Sequence, residues 1–92
     1  MLTVTLFTKP GCGLCDEVEA ELDALQRYFP HQLNKIDISQ DAELFAKYRY
    51  TIPVVQVGNV ALAAPITAVQ LQQTLADFAN QAASAGQPPA HK

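Results

Sequence analysis

The chain lacks the features that direct a protein to nucleic acid or to a membrane. It has 6 lysine and arginine residues against 9 acidic ones, which gives a net charge of −3 and no cationic field to attract phosphate groups. Its apolar runs are shorter than the roughly 18 residues that a membrane-spanning helix needs. Its 4 glycines and 6 prolines are too few for a collagenous or low-complexity chain. We therefore expect no nucleic-acid partner and no membrane partner.

A length of 92 residues, 49% of them hydrophobic, indicates one folded domain with a single core. Residues 1–4 lack the basic and small-residue pattern of a secretory signal, so we expect a cytoplasmic protein. The two cysteines, Cys12 and Cys15, would then lie in a reducing compartment, and a disulfide closing so short a loop would add little stability. The pair therefore needs a chemical rather than a structural explanation.

The pattern of apolar residues predicts the element order β-α-β-α-β-β-α. Segments rich in β-branched residues predict strands at 2–8, 33–38, 53–57 and 60–62. Apolar residues at helical spacing predict helices at 14–29, 41–48 and 67–83. Ser39 is the expected N-cap of the second helix, and Thr67 with Gln70 matches a capping box at the start of the third.

The predicted order of elements indicates a mixed sheet. The first two strands are joined through a helix, so they should be parallel with a right-handed crossover. Gly58-Asn59 predicts a tight hairpin between the last two strands. We therefore predict an α/β fold with a four-stranded mixed sheet and helices on both faces. The domain is expected to cover residues 1–83, with 84–92 as a flexible C-terminal tail.

The two cysteines follow the first predicted strand, where the first helix begins. Unpaired N–H groups and the helix dipole favour an anion at this place, so Cys12 is the expected nucleophile. Cys15, one turn further along, is the expected resolving residue that attacks a mixed disulfide formed at Cys12. Gly13 permits the tight turn, and Leu14 offers a partner an apolar contact. We expect both sulfurs to face solvent.

Acidic residues crowd the start of the first helix and affect the expected reactivity of Cys12. Asp16, Glu17 and Glu19 oppose ionisation of a nearby thiol, whereas the helix end and Lys9 favour it. The balance predicts a Cys12 thiol that is only moderately acidified and a mild reductant.

Residues 9–17, KPGCGLCDE, together with Thr51-Ile52-Pro53, resemble the glutaredoxin branch of the thioredoxin superfamily. The similarity is greatest to small bacterial glutaredoxin-like proteins with a Gly-Cys-x-Leu-Cys-Asp-Glu sequence, and it covers residues 2 to about 80. It implies a thioredoxin-like fold in which Pro53 is cis and the backbone of Ile52 pairs with the bound substrate. It also implies that Lys9 supports the thiolate and contacts a carboxylate of glutathione.

The chain departs from the glutaredoxin pattern after the last predicted strand. Residues 63–67, AAPIT, stand where glutaredoxins usually carry a Gly-Gly-x-Asp segment that holds glutathione. The N–H groups at the start of the final helix, with Thr67, remain able to receive a substrate carboxylate. The resemblance therefore implies glutathione as a co-substrate, and this departure counts against it. No resident cofactor is expected.

Three functions fit the sequence. The first is a monomeric thiol-disulfide oxidoreductase that acts through Cys12 and Cys15 on a disulfide-containing protein or a small thiol. The second is a metal-binding module, in which the cysteines of two chains hold an iron-sulfur cluster, zinc or copper. The third is a non-catalytic interaction domain on the same scaffold. His31 and His91 lie far from the dithiol in the predicted order, so no metal ligand is assigned.

Overall fold

A computed structural model of the chain describes residues 2–85, with side chains through residue 79. The strands are β1 Leu2–Thr8, β2 His31–Asp37, β3 Val54–Val57 and β4 Val60–Ala63. The α-helices are α1 Gly13–Ala24, α2 Ala42–Tyr48 and α3 Ala68–Ala85. Short 3-10 helices, Leu25–Arg27 and Ile38–Gln40, follow α1 and β2. The predicted order of the seven main elements is confirmed.

The four strands form one mixed sheet in the order β2-β1-β3-β4. β1 pairs with β2 in parallel, and β3 pairs with both β1 and β4 in antiparallel fashion. The predicted hairpin is present, and Gly58 adopts a φ of 59° while Asn59 keeps a negative φ. This combination is typical of a type II′ turn, whose first central position favours glycine.

Helices cover both faces of the sheet, as predicted. On one face, α1 and α3 pack on β1 and β3 around the larger core cluster, whose fully buried members include Val4, Leu6, Leu22, Val55 and Leu75. On the other face, α2 packs over a smaller cluster of Phe7, Ile38 and Val54. Successive residues of a strand point to opposite faces, so Leu6 and Phe7 enter different clusters. This layering fixes the end of β1 and the start of α1, where the cysteines lie.

β2 begins at His31, two residues earlier than predicted. The His31 side chain is only 4% exposed, and its Nδ1 lies 2.7 Å from the carbonyl oxygen of Phe29. The backbone N–H of His31 donates to Oε1 of Gln26, 3.0 Å away. These two bonds hold the chain as it leaves the 3-10 turn, which lets a buried polar residue begin the edge strand β2.

The predicted N-cap of α2 is wrong, because Asp41 rather than Ser39 caps this helix. The Asp41 carboxylate accepts hydrogen bonds from the N–H groups of Glu43 and Leu44, at 2.9 and 3.1 Å. Ser39 instead donates its hydroxyl and its N–H to Asp37. The hydroxyl bond first, and then the N–H bond, hold the pKa of the Asp37 carboxyl below its usual range. Ser39 thus belongs to the turn that leaves β2.

Replacing the two candidate caps should separate their roles. We expect Asp41→Ala to lower the free energy of unfolding by about 1 kcal/mol, because two N–H groups lose their acceptor. Ser39→Ala, which removes one exposed hydrogen bond, should cost less than about 0.5 kcal/mol. Urea unfolding followed by circular dichroism measures both. A larger loss in Ser39→Ala than in Asp41→Ala would contradict this assignment of the cap.

The capping box at the start of α3 is confirmed. The hydroxyl of Thr67 accepts from the N–H of Gln70 at 3.1 Å, and the Gln70 side chain accepts from the N–H of Thr67 at 2.8 Å. α3 runs to Ala85, two residues beyond the predicted boundary. Residues 86–92 of the predicted tail lie outside the described part of the chain. None of the helices within residues 2–85 is long and apolar enough to span a bilayer.

Candidate functional site

A tight turn places Cys12 at the start of α1. The Cys12 N–H donates to the Lys9 carbonyl at 3.3 Å, and Gly11 adopts a φ of 80°. Proline at the second position and glycine with positive φ at the third are the signature of a type II turn, here filled by Pro10 and Gly11. The sequence Lys-Pro-Gly-Cys therefore bends the chain sharply between β1 and α1.

The two glycines that flank Cys12 should respond to alanine with opposite signs. At Gly11, alanine would occupy a left-handed conformation, so we expect Gly11→Ala to cost about 1 to 2 kcal/mol of unfolding free energy. Gly13 has an ordinary helical conformation and open space where a Cβ would stand. Gly13→Ala should therefore stabilise the fold by about 0.4 to 1 kcal/mol. Equal effects in thermal or urea unfolding would show that the Gly11 turn is not as described.

Cys12 is the N-cap residue of α1, and a disulfide joins it to Cys15. Its Sγ accepts a hydrogen bond from the Cys15 N–H at 3.1 Å, and the two Cα atoms are 5.2 Å apart. Cys12 is partly exposed, whereas Cys15 is only 1% exposed. The expectation that both sulfurs face solvent is therefore wrong for Cys15, because α1 turns that side chain towards the sheet. A reagent in solution can reach Cys12 first.

The predicted cis conformation at Pro53 is confirmed, and the turn that contains it is tightly held. The Ile52–Pro53 bond is cis, and the Pro53 side chain is fully buried. The N–H of Ala64 lies 3.2 Å from the Thr51 carbonyl and 3.1 Å from the Pro53 carbonyl. A second cis bond, Ala64–Pro65, was not predicted from the sequence. The two prolines thus lie in neighbouring turns.

The backbone of Ile52 is only half free to pair with a partner. Its N–H donates to the Tyr48 carbonyl at the end of α2, at 3.0 Å. Its carbonyl accepts no hydrogen bond from the described residues. A partner strand could therefore gain a hydrogen bond from this residue only by donating to that carbonyl.

A groove of about 230 Å³ opens between α1, the Pro53 turn and the start of α3. Its apolar lining includes Leu14, Val18, Pro53, Pro65, Ile66 and Leu71. Leu14, which stands between the two cysteines in the chain, is 58% exposed at its edge. The structure therefore brings Leu14 and Pro53 into one groove, which reaches the Cys-x-x-Cys segment through Leu14. Glu17 and Glu21 complete the α1 side of this groove.

Two further residues predicted to bind substrate, Lys9 and Thr67, are both exposed but differ in their hydrogen bonds. Lys9 is exposed in the turn before Cys12 and forms no ion pair within residues 2–79. Thr67 is exposed at the start of α3, next to the groove residue Ala68, but its hydroxyl and N–H are both bonded to Gln70. The substrate contacts assigned to Lys9 and Thr67 stay predictions. The two groove carboxylates were not predicted as site residues, although their spacing from Leu14 could have indicated a shared helix face.

Comparison with solved structures places the architecture among thioredoxin-like folds. The X. campestris protein XcR50 is 27% identical, with a TM-score of 0.66 over 80% of this chain and 96% of that one. Protein Ne2328 of Nitrosomonas europaea is 24% identical, with a TM-score of 0.67 over 79% and 89%. Oxidised thioredoxin of Plasmodium falciparum is 20% identical, with a TM-score of 0.64 over 85% and 81%. At that low identity the thioredoxin supports the fold alone.

The fold and the cysteine pair define a thioredoxin-fold domain with a Cys-x-x-Cys disulfide at the start of its first helix. The family described as Glutaredoxin-like domain (DUF836) matches residues 3–82, which is most of the chain. The chain belongs to this glutaredoxin-like family. The resemblance found in its sequence is thereby confirmed.

Proposed function

We propose that this protein is a thiol-disulfide oxidoreductase in which Cys12 exchanges with the substrate and Cys15 resolves the mixed disulfide. The observation that best supports this order of attack is the unequal exposure of the two bonded cysteines, since Cys12 is partly exposed whereas Cys15 is only 1% exposed. The proposed substrates are disulfides of proteins or of small thiols, met by a monomer in the cytoplasm. No resident cofactor is needed, because the two thiols themselves carry the electrons.

The reduced protein would act in two exchange steps. In the first, the Cys12 thiolate attacks a substrate disulfide, so the bond between the substrate sulfurs breaks, a Cys12–substrate bond forms, and one substrate thiolate leaves and takes a proton. In the second, the Cys15 thiolate attacks Cys12 Sγ, which forms the intramolecular disulfide and releases the second substrate thiolate. Two electrons and two protons pass to the substrate. A dithiol, or two monothiols, must then reduce the protein again.

The surroundings of Cys12 support its role as the attacking sulfur. The Cys15 N–H points at Cys12 Sγ, and Cys12 caps the positive end of the α1 dipole. Both interactions stabilise a thiolate more than a thiol. Asp16 and Glu17, at the start of α1, oppose this effect, whereas the charge of Glu19 is paired with Lys35. We therefore propose that the Cys12 thiol is only moderately acidified.

The stoichiometry of exchange tests this function. Reduced full-length protein is mixed with the neutral reagent bis(2-hydroxyethyl) disulfide, and released thiol and protein mass are followed over time. The proposal predicts two thiols released per chain and a return of the protein to its intramolecular disulfide. The Cys12→Ser variant should release none on the same timescale. Release that persists in Cys12→Ser, or no release from the unaltered chain, would overturn the proposal.

A further inference from the structure

The groove that Leu14 and Pro53 line combines apolar side chains with two carboxylates on its α1 side. Glu17 and Glu21 are four residues apart, so both lie on the same side of α1 as Leu14 and Val18. Two like charges at this spacing disfavour the helix slightly. Glu19, by contrast, is held by an ion pair with Lys35 at 2.9 Å. Within residues 2–79, neither groove carboxylate has such a partner.

The other acidic residues of α1, apart from the ion-paired Glu19, add to the negative potential at this side of the groove. The helix contains five acidic residues, Asp16, Glu17, Glu19, Glu21 and Asp23, and no basic one. The nearest basic residue in the chain before it, Lys9, lies in the turn on the far side of Cys12. A ligand that enters the groove from Leu14 towards Leu71 therefore meets apolar carbon and uncompensated carboxylates.

We propose that this groove selects protein disulfides whose cysteine is flanked by an apolar side chain and a lysine or arginine. The apolar side chain would lie against Leu14 and Ile66, and the cation would lie between Glu17 and Glu21. The inference rests on the proposed exchange at Cys12 and adds the class of substrate. The negative charge of the groove supports this inference, because complementary charges on two partners determine partner choice and association rate.

The same groove disfavours a small anionic thiol. Glutathione carries two carboxylates and one ammonium group, so its net charge repels the Glu17–Glu21 wall. At the start of α3, the capping box already occupies the N–H and hydroxyl of Thr67. A carboxylate bound there without displacing Gln70 would have to use the N–H groups of Ala68 and Val69 instead of Thr67. A cationic protein segment is therefore the better match to this surface.

The test compares three short peptides that differ in one residue. Each contains one cysteine followed by leucine and then lysine, glutamine or glutamate, and each is supplied as a mixed disulfide with 2-mercaptoethanol. Second-order rate constants for reduction by the full-length reduced protein are measured at low salt. We expect the lysine peptide to react about tenfold faster than the glutamate peptide, as two partly exposed charge pairs allow. Added salt should reduce this ratio.

A pair of double variants separates the groove from the overall charge. Glu17→Gln/Glu21→Gln should lower the lysine-to-glutamate rate ratio to about twofold or less. The control Asp23→Asn/Glu43→Gln changes the net charge equally but alters no groove residue, so it should keep most of the ratio. Because the ratio compares two substrates of one protein, any change in the Cys12 pKa cancels from it.

The possible outcomes separate the exchange function from the proposed selectivity of the groove. If the neutral glutamine peptide is not reduced at all, the proposed exchange function fails. If that peptide is reduced but the lysine and glutamate peptides react equally, the function stands and the selectivity is wrong. If both double variants lose the ratio to the same extent, net charge rather than the groove sets it, and the inference is overturned.

Discussion

In the reduced protein, Cys12 should react with iodoacetamide on the order of 100-fold faster than Cys15, because Cys15 reacts only after a local opening of the fold. Cys15 is 1% exposed and lies on the side of α1 that faces the core. Cys12 is partly exposed and has the Cys15 N–H directed at its sulfur. Greater exposure and thiolate stabilisation thus both raise the alkylation rate of Cys12 relative to that of Cys15.

The alkylation experiment reads each site by peptide mass after a timed quench. A parallel series in denaturing urea supplies the control, since the two thiols should there react at nearly equal rates. Equal rates in the folded protein, or faster labelling of Cys15, would contradict the assigned order of attack. Such a result would also remove the observation on which the proposed function rests.

The packing that holds α1 on the sheet should contribute strongly to the free energy of unfolding. Leu22 is fully buried in the larger core cluster, between α1 and the strands. We expect Leu22→Ala to lower the free energy of unfolding by about 3 to 5 kcal/mol, because burial is lost and a cavity is left. This is a large part of the roughly 5 to 15 kcal/mol that stabilises a typical domain. Urea unfolding of the oxidised protein measures the change.

A matched control lies in the same helix. Leu14→Ala makes the same chemical change at a side chain that is 58% exposed, so its effect on unfolding should stay within about 0.5 kcal/mol. Losses of similar size in the two variants would contradict the described orientation of α1. Because α1 presents both cysteines, that outcome would also alter the description of the site.

Local sequence signals predicted most of the fold. They failed where two neighbouring residues are equally good N-caps, and where a strand boundary depends on tertiary hydrogen bonds. β1 and the Gly58 turn were predicted because β-branched residues and glycine leave few alternatives. The N-cap was misassigned since Ser39 and Asp41 are both good caps, and only the tertiary course of the chain decides between them. The start of β2 was missed because the burial of His31 depends on bonds to Gln26 and Phe29, which no local pattern encodes.

The candidate site was predicted only in part, because local motifs locate the cysteines but do not specify how the helices pack. The Cys-x-x-Cys spacing and the predicted boundary between β1 and α1 located the two cysteines, and the family resemblance supplied the cis bond at Pro53. The unequal burial of the cysteines depends on how α1 rotates on the sheet, which the local motif does not specify. The groove brings α1 together with residues 64–71, which lie about 50 positions later in the chain. Its acidic wall therefore becomes visible only once the helices are packed.

Trapping the mixed disulfide tests most directly whether Cys12 is the exchanging sulfur. Each single-cysteine variant, Cys15→Ser and Cys12→Ser, is mixed with the neutral peptide disulfide, and the protein mass is recorded over time. We expect a rapid, lasting mixed disulfide on Cys15→Ser, with the peptide or with 2-mercaptoethanol as the other thiol leaves, and an adduct on Cys12→Ser that forms on the order of 100-fold more slowly. Equal rates on the two variants, or the absence of an adduct on Cys15→Ser, would contradict the claim that Cys12 is the exchanging sulfur.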